Sequence, residues 1–595
     1  MTSETKTCQN CKQNFVIEPE DFKFYEKMQV PPPTFCPECR LIRRLAWRGD
    51  RAFYKRKEDF SGSEIFSMFS NSYKGKVFPY DVYWSDKWSP MDYGRDYDFS
   101  KPFFEQFKAL LEEVPIPAKS ITEPVSEYSN NAAGLKNCYL VFNAGFSEDC
   151  AYGYRVAYLK DSYDMAHSEN SELCYECFKC RRCYRAVFSS NCEECHDIFF
   201  SKNCVGCGNC FGCVNLRNKQ YHIFNQPFSK EQYFEELKKL ETGSFGNVQK
   251  LRDRTSALFL NYPMKFIQDR KNSNISGDYI YNSKNVSLSF DVENGEDLKY
   301  CHEIHYNPSA KDSYDYTSWG ENASLLYECS ACGEGVANLA FCYNCYAQSR
   351  NIAYSIFCTN SSDLFGCIGL KNKSYSILNK QYTKEEYEKL RAKVMQHMNE
   401  MPYTDKKGRI YKYGEFFPIE ISPFSYDESV AHEYFPLKKE EADVLGYGWK
   451  GPESRNYQIT KKSGDLPDHI NDAADSVLNE IIGCAHEQKC NENCTQAFRV
   501  IPKELEFLKK MNLPLPRLCP NCRHYQRIKQ RNPLKLWHRK CQCAGEKSEN
   551  KVYANTADHI HHAKYQPCPS TFETTYAPER PEIVYCEQCY IREVV

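Results

Sequence analysis

Cysteines stand in closely spaced pairs at both ends of this chain. Near the start, Cys8-x2-Cys11 and Cys36-x2-Cys39 are separated by 24 residues. Thiolates are strong, soft metal ligands, and two such pairs on tight turns close a tetrahedral four-sulfur site. The chemistry is metal capture, and zinc suits this ligand set. Near the end, Cys519-x2-Cys522 follows Cys494 after the same 24 residues. Its partner pair reads as Cys490-x3-Cys494, one residue wider than the first, with Cys484 or His486 as rivals for the place of Cys490. A third set comprises Cys541, Cys543, Cys586 and Cys589, with Cys568, His559, His561 and His562 as rival ligands. Four thiolates leave no open position for a substrate, so the expectation is three structural zinc ions.

Each of the first two motifs has a basic tail. Arg40, Arg43, Arg44 and Arg48 follow the first; Arg523, Arg527, Lys529 and Arg531 follow the second. Guanidinium groups pair with phosphate and interleaved aromatics stack on bases, so these tails are candidate nucleic-acid contacts. A solvated helix face, or a bed for an acidic part of the same chain, is the competing reading. The string Cys11-x3-Phe15, Asp21-Phe-Lys-Phe-Tyr25 and Cys36-Pro-Glu-Cys39-Arg40 resembles a small bacterial family of treble-clef-like zinc ribbons. Cys494-x3-Phe498, Leu505-Glu-Phe507 and Cys519-Pro-Asn-Cys522-Arg523 repeat it. The resemblance covers only the two ends and implies no activity.

Between the ends lies a stretch that has to be positioned differently. From Leu135 to Asn225 units begin at Cys138, Cys150, Ser162, Cys174, Cys183, Cys192, Cys204 and Cys213, in steps of twelve or nine residues. That period is too long for one strand and too short for a helical repeat, and it predicts strand-and-turn units stacked as a β-solenoid. The programme returns between Ser283 and Asn379. Lys160-Asp-Ser-Tyr-Asp164 matches Lys311-Asp-Ser-Tyr-Asp315, and Phe211-Gly-Cys213 matches Phe365-Gly-Cys367. Cys174–Cys183 and Cys204–Cys213 step by three, as iron–sulfur ligands do, but without the closing proline. Their counterparts include Leu326, Ser361 and Leu364, which suit small buried residues better than cluster ligands. Asp161, Asp164, Asp312 and Asp315 are the acids a β-helical carbohydrate enzyme would use; turn-capping is the commoner role of aspartate.

The 595 residues include 33 cysteines and 15% aromatics, with a net charge of -2. That charge gives no global attraction to nucleic acid. No run approaches a membrane span, no signal-peptide core opens the chain, and a cytoplasmic protein with reduced thiols is expected. The fold expected is mainly β: a duplicated β-solenoid body flanked by zinc-ribbon modules, with short helices between units. Its segments are ribbon 1 (1–57), an aromatic segment and helix (58–134), solenoid unit 1 (135–240), a connection (241–282), solenoid unit 2 (283–398), a Pro/aromatic-rich linker with a helix at Asp468–Ile482 (399–483), ribbon 2 (484–540) and a third zinc module (541–595). Capping boxes at Ser229–Gln232 and Thr383–Glu386 predict helices to about Leu240 and Met398. The function expected is a non-enzymatic scaffold touching nucleic acid or a ribonucleoprotein through the ribbons and protein along the solenoid. The alternatives are an iron–sulfur redox protein and a carbohydrate-active enzyme.

Overall fold

A computed structural model describes residues 2–122, 126–452, 457–543, 562 and 568–594. The chain is mainly β, with twelve helices among the described residues. It forms two compact units, each built from separated stretches of sequence. One unit holds Met1–Lys119, Ile267–Lys450 and Leu534–Leu536; the other holds Ser120–Phe266, Gly451–Pro533 and Trp537–Val595. Each therefore unites a terminal cysteine module with the β-rich stretch more distant in sequence.

In the second of these units a ten-stranded sheet runs from Ile121–Thr122 to Gln226–Pro227, every strand beside its successor in the chain. The pairing is parallel until the last, antiparallel step. After a first step of eleven, from Ile121 to Ala132, its parallel register is constant: Ser129 faces Val141, Tyr154 faces Ala166, Tyr184 faces His196 and His196 faces Gly208, each twelve residues on. Single bridges such as Lys136 to Glu148 and Ser190 to Lys202 keep the same step between strands.

A shorter period of three runs through each step. Cys174, Cys177, Cys180 and Cys183 are buried in one apolar core, as are Cys204, Cys207, Cys210 and Cys213. The residue two positions after each core position turns back with positive φ, as at Asn137, Leu140, Glu176, Lys179 and Arg182. Non-glycine residues seldom adopt that conformation, and here the continuous ladder offsets its cost. Many of the core positions hold a small side chain with a polar atom that the ladder satisfies, while others, such as Leu159, Met165 and Ile198, are larger and apolar. Cys177 Sγ donates to the carbonyls of Tyr175 (3.5 Å) and Ala186 (3.3 Å). Ser162 Oγ and Ser171 Oγ accept from the amides of Cys174 (3.1 Å) and Cys183 (3.0 Å) one step later. The C-x2-C-x2-C spacing is thus the period of the backbone corners. Among the described residues, none of the cysteines from Cys138 to Cys213 falls in a group of three or more potential ligands within 4.8 Å of one another.

The other unit carries a twelve-stranded sheet on the same plan, from Asp269–Arg270 to Lys380–Gln381. Its register is less even: Lys284 faces Glu296 twelve residues on, Glu296 faces Lys311 fifteen on, and Tyr314 faces Tyr327 thirteen on. Strand His302–His305 pairs with both Lys284–Glu293 and Ala310–Gly320, which closes a small parallel ring with Glu296–Lys299. Branched hydrophobes here take core places that thiols fill in the first ladder, among them Val286, Leu298, Leu326, Leu339, Ile352 and Leu364.

Each ladder ends in a helix with a complete capping box, Lys230–Lys239 after Ser229 and Lys384–Glu400 after Thr383. The expected helix at Asp468–Ile482 does not form. The segment makes two 3-10 turns, Ile470–Asp472 and Asp475–Asn479. Its polar groups are engaged elsewhere: Asp468 accepts from the Gly246 amide (2.9 Å), and the Ile470 amide donates to Gly243 (3.0 Å). Backbone already paired across the fold cannot pair with itself.

Candidate metal centres

Three times the chain builds the same small device: a hairpin whose first strand ends at a cysteine, then a helix that begins at another. In the first, strands Glu4–Thr7 and Asn14–Ile17 pair antiparallel. Cys8 follows the first strand at once, Cys11 lies three residues before the second, and the Cys8 amide donates to Gln13 (2.9 Å). Cys36 then caps the helix Pro37–Leu45, with Cys39 in its opening turn and proline at the first helical position. Helix N-termini favour negative charge and so favour thiolates there. The Sγ atoms of Cys8, Cys11, Cys36 and Cys39 lie within 4.8 Å of one another. Cys11 and Cys36 are 3.7 Å apart, close to the roughly 3.8 Å edge of a tetrahedron of sulfurs about 2.3 Å from a central ion.

The second device repeats this detail with a longer knuckle. Strands Ile482–Gly483 and Ala497–Phe498 form the hairpin, Cys484 follows the first and Cys494 precedes the second by three. The Cys484 amide donates to Gln496 (2.8 Å). Cys519 caps the helix Pro520–Ile528. The group within 4.8 Å is Cys484, Cys494, Cys519 and Cys522, all buried. Cys484–Cys522 and Cys494–Cys519 are 3.8 and 4.0 Å apart. The sulfur of Cys490 also lies 3.7 Å from Cys522, in a second group with His486 and Glu492. Cys484 thus occupies the place of Cys8, and sequence spacing hid it because nine residues rather than two separate it from Cys494.

In the third, strands Trp537–Lys540 and Thr571–Thr574 pair antiparallel. Cys541 and Cys568 take the two knuckle places, and the Cys541 amide donates to Ser570 (3.0 Å). Cys586 immediately precedes the helix Glu587–Val594 and Cys589 lies in its opening turn. Cys541, Cys543, Cys568 and Cys589 fall within 4.8 Å of one another, and Cys586 Sγ is 3.9 Å from Cys568. His562 Nε2 approaches Cys543 (3.2 Å) and Cys589 (3.4 Å). His559 and His561 lie outside the described residues. Neighbouring thiols share protons in these clusters. A hydrogen bond from Cys484 helps hold Cys494 down to about 6, and one from Cys541 helps hold Cys543 down to about 4. Cysteine clusters at both ends are therefore compatible with zinc-ribbon-like modules, each offering a metal ion four or more sulfurs.

Six of the eight basic-tail residues are buried, while Lys529 is exposed and Arg531 half-buried. Arg40, Arg43, Arg44 and Arg48 are at most 1% exposed, Arg523 4% and Arg527 2%. Arg40 and Arg44 both pair with Asp315, at 2.8 and 3.1 Å. Arg43 bridges Glu328 (2.5 Å) and Glu415 (2.9 Å), and Arg48 bridges Asp50 (2.5 Å) and Glu303 (2.9 Å). The second module does the same thing: Arg523 and Arg527 both grip Asp164 at 2.5 Å, and Arg523 also reaches Glu504 at 2.9 Å. Asp164 and Asp315 are the closing residues of the repeated Lys-Asp-Ser-Tyr-Asp string, and both are fully buried. Aromatic contacts repeat too: Phe24 stacks on Tyr314 at 3.9 Å, and Phe507 lies 4.6 Å from Tyr163. The six arginines thus bind carboxylates of the same chain. Lys529 pairs with Glu492, and Arg531 donates to the Ile528 carbonyl (3.1 Å). Nothing in the sequence distinguishes these arginines from a phosphate-binding tail except the matching acids, most of which lie hundreds of residues away.

No known protein family matches the chain. No curated protein matches it either. Among solved structures, one match is a candidate acetyltransferase from Desulfovibrio desulfuricans G20, 8% identical over 48% of this chain and 84% of that one, with a TM-score of 0.10. So slight a likeness carries no argument. No helix of the described residues is long and apolar enough to cross a membrane.

Proposed function

We propose that this protein is a non-enzymatic, zinc-stabilised cytoplasmic scaffold: two β-solenoid units, each with a zinc ribbon locked against it, presenting their faces to a protein partner. One observation carries the reading. Each of the first two cysteine modules spends its cationic helix on buried carboxylates of a parallel ladder, which ties ribbon to ladder. The constant twelve-residue parallel register supports the solenoid, since stacked units bury what one unit cannot. Four-thiolate geometry favours zinc in a structural role. Asp164 and Asp315, wholly buried between guanidinium groups, suit this reading and not glycoside cleavage, which needs acids facing a groove; Asp161 and Asp312 are half-buried, and Asp312 pairs with Lys27. With six arginines internal, a nucleic-acid contact would rest on Lys529 and Arg531, and a protein partner is the better fit.

The deciding experiment is anaerobic purification followed by a visible spectrum, metal analysis and titration with labelled single-stranded RNA. We expect zinc, a colourless sample and weak binding indifferent to neutralising Arg531. Absorption near about 400 nm would replace this reading with a redox one. Salt-sensitive binding lost in Arg531→Ala would restore a nucleic-acid partner.

A further inference from the structure

The second module's knuckle is longer than the first's by seven residues, Cys484-x9-Cys494 against Cys8-x2-Cys11. The added turn brings His486, Cys490 and Glu492 to the outer side of Cys522, and one ligand atom from each of the four lies within 4.8 Å of the others. Cys490 Sγ stands 3.7 Å from Cys522 Sγ. His486 Nδ1 and Glu492 Oε2 face each other at 2.9 Å, yet both are buried atoms without a hydrogen-bond partner. Glu492 is only 4% exposed, and Lys529 engages its other oxygen, Oε1. A buried donor or acceptor left unmade is costly. A cation between the two would satisfy both.

We propose that this group is a second metal site, holding a divalent ion of the zinc class through His486, Cys490, Glu492 and Cys522, with the Cys522 thiolate bridging to the ion of the four-thiol set. Two thiolates, an imidazole and a carboxylate form a complete tetrahedral donor set for such an ion. The third module shows the same tendency: Cys543, also supplied by an enlarged knuckle, lies 3.3 Å from Cys589, which stands where Cys522 stands in its helix.

The proposal rests on the reading that the modules hold metal, and zinc counting on the full-length chain separates the two. The metal-free protein is reloaded with zinc and the bound ions are counted for the parent, for His486→Ala/Cys490→Ser, and for that variant with Cys484→Ser added. We expect the count to fall by one and then by one more. An unchanged count in the first variant overturns the second site. So does a combined variant that loses only one ion, since one ion would then be shared by both groups. A parent that binds no zinc overturns the underlying reading as well. Should the combined variant fail to fold, the first suffices with a thermal melt: loss of one ion with the melting temperature lowered by less than about 5 °C supports the second site. Loss accompanied by a collapse like that of Cys519→Ser overturns it.

Discussion

Asp315 and Asp164 each hold two arginines inside the protein. Removing one partner from such a group strands the others without water, at a cost of about 3–5 kcal/mol. Asp164→Asn and Asp315→Asn should therefore each lower the denaturant midpoint sharply without touching a cysteine. Arg44→Lys should do nearly as much harm, because an ammonium cannot span two carboxylates as a planar guanidinium does. Urea titration checks both. Lys371 offers a quieter measurement. Burial beside Tyr83 and Trp84 pushes it down to about 8 from 10.5. Between those values the unfolded chain binds more protons than the folded one, so this lysine makes stability rise as pH climbs from about 8 to 10.5. The melting-temperature difference between wild type and Lys371→Met should move in the wild type's favour over that window. At this scale the sequence was half legible. It shows arginines clustered after each cysteine pair and aspartates repeated in each ladder. That the two sets meet is a matter of tertiary pairing across 271 residues for Arg44 and Asp315, and no local pattern records it.

At the scale of elements, cysteine serves two unrelated ends. In the modules it is placed to hold a metal ion; in the ladders it is a small core residue whose S–H donates to a carbonyl. Serine already fills equivalent positions such as Ser162, Ser171 and Ser189. Cys177→Ser should consequently cost no more than about 1 kcal/mol, while Cys177→Phe should prevent folding by overpacking. Chemical denaturation of the purified variants would show the ordering. A chelator should have a complementary effect, freeing the thiols of the modules to react with a thiol reagent while those of the ladders stay protected until denaturant is added. The duplication, the twelve-residue step and the two capping boxes were legible, because each writes itself into the order of residues. The three-residue period was visible as C-x2-C-x2-C, yet its cause, a left-handed backbone turn after every core position, is only partly written in residue type: Asn is the commonest residue there, but Leu, Glu and Lys adopt it too. The equivalence of Cys484 to Cys8, and of Cys568 to Cys11, was hidden by knuckles of different length.

For the molecule as a whole, the salient fact is that each compact unit is assembled from separated parts of the chain. A fragment ending at Phe266 carries the first cysteine module without Asp315, Glu328 or Glu415. The complementary fragment carries the second module without Asp164. Each alone should be digested readily in its cysteine module, and the two expressed together should recover the protection of the intact protein. A first fragment as resistant as the whole chain would show that the arginine clamp contributes little.

The same arrangement imposes a delay. Arg44 leaves the ribosome 271 residues ahead of Asp315, which at about 5–20 residues per second is roughly 14–54 s. For that interval Arg40, Arg43 and Arg44, destined for the interior, stand without their anions, on a helix whose other end is tied to four thiols. Early capture of a metal ion would keep the nascent module shaped and its sulfurs from oxidising while the rest of its binding bed is still being made. On the proposed reading of these modules as zinc sites, zinc supply during translation, more than zinc supply afterwards, should then set the yield of native protein.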